Sequence, residues 1–395
     1  MKHFISISAL FVILLFAQHS YAQEIMHFDE DGYQAAIQRS KKEHKPVLYM
    51  IYASWCQHCN KMKSEVLTDP EVKDFLTKNF VCAWQDIEKG EGEMFKKQFG
   101  VKMFPTFLFL DENGTVLYNI NGELKSADLI AEAKTALTPE KQLPYLKKEF
   151  YADPGNADKC LAYITTLRKG KDRKELSQPA QVYLATQKDG QLVSAMNWRI
   201  IANAVTDVNT REFQYVLKHQ AQFAAVASKA RVQRKIVNIV EETIRPFAEN
   251  LDTIGYKKVR ADLKALNLKT ADSLVFKSDV IIAENTGNWT AYKKATMDGA
   301  AQFAWDNGAL LKQIAQNYLS HYPDNGSLKY AIKMAEQSEK LSESYDGYVL
   351  LSRLYIKIND KKTAIVYARK AKEMTVNLGW NSKDADALFI ELGIQ

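Results

Sequence analysis

Residues 47–52 read VLYMIY, an unbroken apolar and aromatic run between Pro46 and the stretch ASWCQHCN. A strand apolar on both faces must be covered on both, so this run is predicted to be a central strand with helices on either side of its sheet. Cys56 and Cys59 follow at once, and in KMKSEVL after them Met62, Val66 and Leu67 share a helical face. Cys56 is therefore expected at a strand-to-helix turn, at or near a helix N-terminus, where unpaired N–H groups and the positive end of the dipole favour a thiolate. Cys59, on the same helix face, is within disulfide reach of it.

The flanking pattern extends the alternation. Tyr33, Ala36, Ile37 and Ser40 recur at helical spacing, and Asp69-Pro70 starts a helix through EVKDFLTKN with an N-cap acid and a proline in the first turn. FVCAWQDI (80–87) reads as a second strand and GEMFKKQFG as a short helix ended by Gly100. TFLFL and TVLYNI form a hairpin around Asp111-Glu112-Asn113-Gly114, and SADLIAEAKTAL closes the unit near Leu137. The order is helix, strand, helix, strand, helix, hairpin, helix, with Pro105 opening the hairpin 49 residues beyond Cys56.

With WCQHC after the central strand and that proline, residues 23–138 resemble the thioredoxin superfamily. WCQHCNKMKSEV, TDPEVKDFLTKNF and FPTFLFLDENG are most similar to its periplasmic and secreted branch, which includes the C-terminal domain of the periplasmic disulfide-reducing membrane protein. The resemblance implies an α/β thioredoxin fold and a thiol–disulfide oxidoreductase that acts on protein cysteines with no cofactor, served by a redox partner protein. Cys56 is the expected nucleophile, and Cys59 resolves the mixed disulfide, the two forming a redox-active disulfide. His58 would stabilise the Cys56 thiolate, as in related oxidases and isomerases, or is simply a solvated helix residue. Pro105 matches the superfamily's cis-proline, with an ordinary trans proline as the alternative, and Phe104 before it would offer backbone contacts to substrate. Trp55 either shapes the substrate surface or only packs beside the turn.

One position departs from the pattern. Many thioredoxins carry a buried aspartate six residues before the nucleophile, and Met50 stands there in this chain. Glu65 and Asp86 are candidates to replace it, though each also reads as a surface or capping carboxylate. Cys82 in a strand and Cys160 in the helical ADKCLAYI read as buried small hydrophobes, with a redox or pairing role as the alternative. A structural zinc site needs a second CxxC or paired histidines, and the seven histidines are scattered, so no metal is expected. The redox direction stays open between reduction and oxidation or isomerisation. A soft-metal carrier using the thiol pair, or a non-enzymatic scaffold, are the rival readings.

Residues 1–22 have the form of a secretory signal peptide, with an apolar part (Ile7–Phe16) too short to span a bilayer. Nothing later approaches 18 uninterrupted apolar residues and the C-terminal ELGIQ is no retrieval signal, so the mature chain is expected to lack a transmembrane segment and to be exported, to a bacterial periplasm. Residues 23–138 hold 14 basic and 18 acidic side chains, net −4, whereas residues 139–395 are net +9, an asymmetry that supports separate modules. The lysines of the second part are spread rather than clustered, which reads as a solvated surface and not a nucleic-acid site.

Residues 139–395 carry one helical pattern after another, with Pro246 the only interruption between Pro179 and Pro323. In DGYVLLSRLYIKINDKKTAIVYARKAKEM, the residues Tyr348, Leu351, Ser352, Tyr355, Ala364, Ala368 and Ala371 fall at the spacing of a tetratricopeptide repeat. SLKYAIKMAEQSEK before it, with Ala331 and Ala335, resembles the second helix of an earlier repeat, placing the repeat-like part toward 310–380. Ordinary bundle packing explains the same alanines. A repeat-like all-α domain implies a concave surface for a client protein.

Overall fold

The computed structural model describes residues 32–170, 173–378 and 381–394; the expected leader, 1–22, lies outside the described residues. The chain divides into two compact units between Val205 and Thr206.

In the first unit, α1 (Tyr33–Glu43) leads into β1 (Val47–Tyr52), α2 (Gln57–Lys61) with a π-helical turn over Met62–Val66, α3 (Pro70–Asn79), β2 (Val81–Asp86), α4 (Gly92–Phe99), β3 (Thr106–Leu110), β4 (Val116–Asn121) and α5 (Ser126–Ala136). The strand order is β2-β1-β3-β4, with β1 parallel to β2 and antiparallel to β3, and β3 antiparallel to β4. As its composition requires, β1 is covered on both faces. Tyr49 packs with Tyr33 of α1 and Phe95 of α4. On the opposite face Leu48 and Met50 lie in register with Phe109 and Phe107 of β3, and Phe109 packs on Phe80 and Tyr118 beneath α3 and α5. Leu48 and Met50 are inaccessible to solvent, and truncating such a side chain to alanine costs about 2–5 kcal/mol.

Local signals hold the ends of these elements. Asp69 caps α3, its Oδ1 accepting from the N–H of Glu71 at 2.9 Å, with Pro70 in the first turn. Gly100 closes α4 at a φ of 66°. In the hairpin turn Asp111 Oδ1 accepts the N–H groups of Asn113 and Thr115, both at 2.8 Å. Gly114 there has a φ of 80°, and a Cβ on it would lie 2.0 Å from the Tyr33 hydroxyl.

Helices α6 (Leu143–Ala152), α7 (Ala157–Arg168), α8 (Arg173–Leu184) and α9 (Ala195–Ala204) complete this unit. The end of α7 covers the edge strand β4: Asn121 N–H donates to Lys169 O at 3.0 Å, Asn119 Nδ2 to Gly170 O at 3.2 Å, and Lys169 Nζ to Tyr118 Oη at 2.6 Å. The edge thus gains partners that would otherwise be solvent. The helices that directly follow residue 138 pack with the sheet, and the division of the chain falls some 65 residues later, at 205/206.

The second unit is all helical among its described residues: α10 (Arg211–Lys218), α11 (Gln220–Val226), α12 (Lys229–Glu249), α13 (Thr253–Ala265), α14 (Lys269–Asn285), α15 (Trp289–Phe303), α16 (Gly308–His321), α17 (Asn325–Leu341), α18 (Tyr345–Lys357), α19 (Lys361–Leu378) and α20 (Lys383–Leu392). Pro246 does not break the pattern as its sequence position suggests; α12 runs through it to Glu249, giving up the one ladder bond that the missing N–H would have made. Ala331, Ala335, Ala364, Ala368 and Ala371 are buried between paired helices, and Ser352 Oγ donates to Ala364 O at 3.0 Å. Among the described residues no helix is long and apolar enough to cross a membrane.

Replacing Gly114 by alanine forces a side chain into the left-handed region and against Tyr33. The expected loss is about 1–3 kcal/mol, read as a lowered urea midpoint at unchanged slope.

Candidate active site

The site forms where β1 ends. Ala53 O accepts the Cys56 N–H at 3.1 Å, turning the chain so that Cys56 becomes the N-cap residue of α2, with extended backbone angles of −79° and 110°. Its Sγ accepts the backbone N–H of Cys59 at 3.2 Å. The two thiols therefore sit at the helix N-terminus in direct relation to each other, as the CxxC spacing predicts. All four cysteines of the chain are free thiols. Cys56 keeps 7% of its surface and Cys59 none, so the first is the one a substrate sulfur can reach. Burial pushes the Cys59 thiol up to about 12; its bond and proximity to Cys56 add to this, while a backbone hydrogen bond from Ala53 and the charge of Lys63 oppose it. Buried Cys82 and Cys160 lie away from the pair, on β2 and α7, and burial pushes Cys160 up to about 12 as well.

Two large apolar side chains are exposed on this side of the fold. Trp55 is 65% exposed and Met103 55%. The Trp55 indole meets Phe104 edge-on at 6.1 Å, and its Nε1 donates to Glu88 Oε1 at 2.9 Å. The Phe104–Pro105 peptide is cis. Pro105 O accepts the Gly122 N–H at 2.8 Å, and Thr106 Oγ1 donates to Met103 O at 2.7 Å, so this loop is fastened on both sides. The fold thus brings together Trp55, Cys56, Cys59, Phe104 and Pro105.

His58 points elsewhere. It is exposed, and its Nδ1 donates to Glu123 Oε2 at 2.7 Å, while Lys61 Nζ donates to Glu123 Oε1. These two bonds hold the Glu123 carboxyl below its ordinary range. Glu123 follows β4, about 65 residues from His58, and no local pattern announces the pairing. Of the candidate replacements for a carboxylate at Met50, Glu65 is exposed. Asp86 is buried at the end of β2, its Oδ1 accepting from Glu88 N–H at 3.1 Å and its Oδ2 3.7 Å from Lys89 Nζ. Met50 itself lies in register with Trp84 and Phe107. Lys63, which spacing alone does not single out, has its Nζ 2.9 Å from the centre of the Tyr52 ring and 4.3 Å from that of Trp84.

Residues 33–137 match the family model described as a thioredoxin-like domain. This part of the chain is a thioredoxin-like domain. Among similar curated proteins are protein disulfide-isomerase A5 of Bos taurus, 29% identical over 125 residues, and the chloroplastic thioredoxin-like protein HCF164 of Arabidopsis thaliana, 31% identical over 104. A third is the thiol:disulfide interchange protein DsbD of Haemophilus ducreyi, 36% identical over 78 residues. These matches cover 31%, 26% and 19% of this chain, and 23%, 38% and 13% of the respective relatives. The chain therefore spans well under half the length of each.

Because the folded Glu123 carboxyl titrates below its ordinary value, its ionised form adds stability above the usual glutamate range, about 4.3, and that contribution is lost as pH falls through it. Glu123→Gln is expected to lower the urea midpoint at pH 7, and the gap to the parent to be smaller at a pH below the usual glutamate range. A gap of the same size at both pH values would count against the ionic clamp on His58 and Lys61.

Proposed function

We propose that this protein is a thiol–disulfide oxidoreductase acting on protein cysteines through Cys56 and Cys59. The observation that carries the reading is the seating of Cys56 as the N-cap of α2 with its Sγ accepting the Cys59 N–H, the most accessible thiol at the helix end and a second thiol one turn behind it. An N–H bond of this kind strengthens when the sulfur ionises, so it favours the nucleophilic form over the neutral one. Cys56 attacks a substrate sulfur and Cys59 resolves the mixed disulfide, or the same steps run in reverse. Exposed Trp55 and Met103, with Phe104 between them, support a substrate presented as an extended segment with apolar side chains, since such a rim gains from covering apolar area near the scissile bond. His58 acts in this reading through Glu123, which orients it.

Export rests on the leader-like residues 1–22, and we place the activity outside the cytosol, in a periplasm. The helix pairs α16–α17 and α18–α19, joined through buried alanines, support a repeat-like surface on which a client or redox partner is held.

The reduction potential of the Cys56–Cys59 couple against glutathione tests the activity and assigns its direction. A value near −270 mV identifies a reductant and about −120 to −180 mV an oxidant or isomerase. Cys56→Ser is expected to abolish exchange, and Cys59→Ser to accumulate a stable mixed disulfide with glutathione at Cys56. A protein that exchanges with glutathione in neither direction, or a Cys56→Ser variant that exchanges like the parent, sinks the reading.

A further inference from the structure

The resolving step demands something the thiol pair does not itself supply. Cys59 must lose its proton before it can attack, yet it is wholly buried, and a buried thiol resists ionisation. The strand beneath it offers no acid or base where one would serve, since Met50 sits there between Trp84 and Phe107. What lies close by is a cation. Lys63 follows Cys59 by one turn, where α2 passes into its π-helical turn, and Met62 and Val66 beside it are buried against the sheet. Its ammonium does not run out to solvent but rests over the rings of Tyr52 and Trp84, at 2.9 and 4.3 Å from their centres. Tyr52, Met50 and Trp84 share one face of the sheet, the face covered by α2. Holding a lysine head group there costs hydration, which the two ring faces offset in part.

We propose that Lys63 supplies the positive charge that lets Cys59 ionise, with Tyr52 and Trp84 as the aromatic seat that fixes the charge beside the resolving sulfur. The inference rests on the exchange activity proposed above and adds to it the group that sets the rate of its second half. The other charged groups around the site have partners of their own, except that Asp86 Oδ2, on the same sheet face as Tyr52 and Trp84, is buried with no hydrogen bond and only Lys89 Nζ near it, at 3.7 Å. Cys56 raises the Cys59 thiol, Asp86 on β2 is bonded to Glu88 N–H and faces Lys89, Glu123 after β4 holds His58 and Lys61, and Glu65 on the π-helical turn is exposed. The Lys63 charge, one turn beyond Cys59, favours the Cys59 thiolate, against burial and the neighbouring Cys56.

With oxidised glutathione as substrate the step balances as follows. The Cys56 thiolate attacks one glutathione sulfur, forming a mixed disulfide and expelling the other as thiolate. Cys59 gives its proton to water, its thiolate attacks Cys56 Sγ, and the Cys56–glutathione bond breaks with its electron pair going to the glutathione sulfur, which is then protonated. The protein dithiol is oxidised to a disulfide and one glutathione disulfide is reduced to two thiols.

The test is the titration of Cys59, read as thiolate absorbance in Cys56→Ser with the Cys56→Ser, Cys59→Ser protein subtracted. Adding Lys63→Met is expected to raise the midpoint by about one pH unit, a tenfold loss of thiolate at neutral pH. In the chain that keeps both cysteines, Lys63→Met should slow glutathione release from the mixed disulfide about threefold, because a more basic thiolate is also the better nucleophile. Lys63→Arg should leave both near the parent. If Lys63→Met loses its cooperative melting transition, Lys63→Gln is read in its place. An unchanged midpoint in a folded Lys63→Met or Lys63→Gln protein overturns the proposal, as does an arginine variant that behaves like methionine. Since the titration is made without Cys56, a chain inactive in exchange still reports on Lys63, and the two readings fail separately.

Discussion

Everything at the site hangs from the burial of β1 on both faces. Its six side chains leave no edge or surface on which the strand could rest, so α1 and α4 must close one side and α2, α3 and α5 the other. Once that is satisfied, the chain leaves the sheet at Tyr52 with only a tight turn before α2 begins. The first thiol then falls at the helix N-terminus and the second inside the first turn, and their different exposure follows from position alone. Core packing and the placement of the two thiols are thus set by the same six residues.

Two groups of charge then act on this end of the helix from opposite sides. On the outside Glu123 ties His58 and Lys61 to the loop after β4. On the inside Lys63 lies against Tyr52 and Trp84 under the same helix. The outer group is solvated and weakened by salt, whereas the inner one works in a lower dielectric, where a charge acts more strongly on a neighbouring sulfur.

The helices after residue 138 serve two purposes. Those of the first unit cover β4, with Lys169 and Gly170 bonded to Asn121 and Asn119, and so remove an open sheet edge from the surface. Those of the second unit gather small side chains between paired helices, which lets their backbones approach closely, as at Ser352 and Ala364.

Much of this was legible in the chain itself. The apolar run at 47–52, the Asp69-Pro70 start, the Gly100 stop and the Asp111–Gly114 turn are local signals, each satisfied within a few residues, and the elements they predict stand where they were expected. The spacing of Cys56 and Cys59 likewise places both thiols on one turn of helix with no help from elsewhere. The partners of those thiols were not legible, because they come from afar in sequence. His58 meets Glu123 through the return of β4, Trp55 meets Phe104 and Glu88 across the end of the sheet, and Lys63 finds Trp84 only because β2 runs parallel beside β1. Nor could local pattern tell that α6 and the end of α7 would pack with the sheet, since an amphipathic helix shows that it has a face to bury but not against what. The sequence by itself determined the elements and the reactive pair, which depend on neighbours along the chain. Only the tertiary structure decided which charges and rings surround that pair, since those depend on neighbours in space.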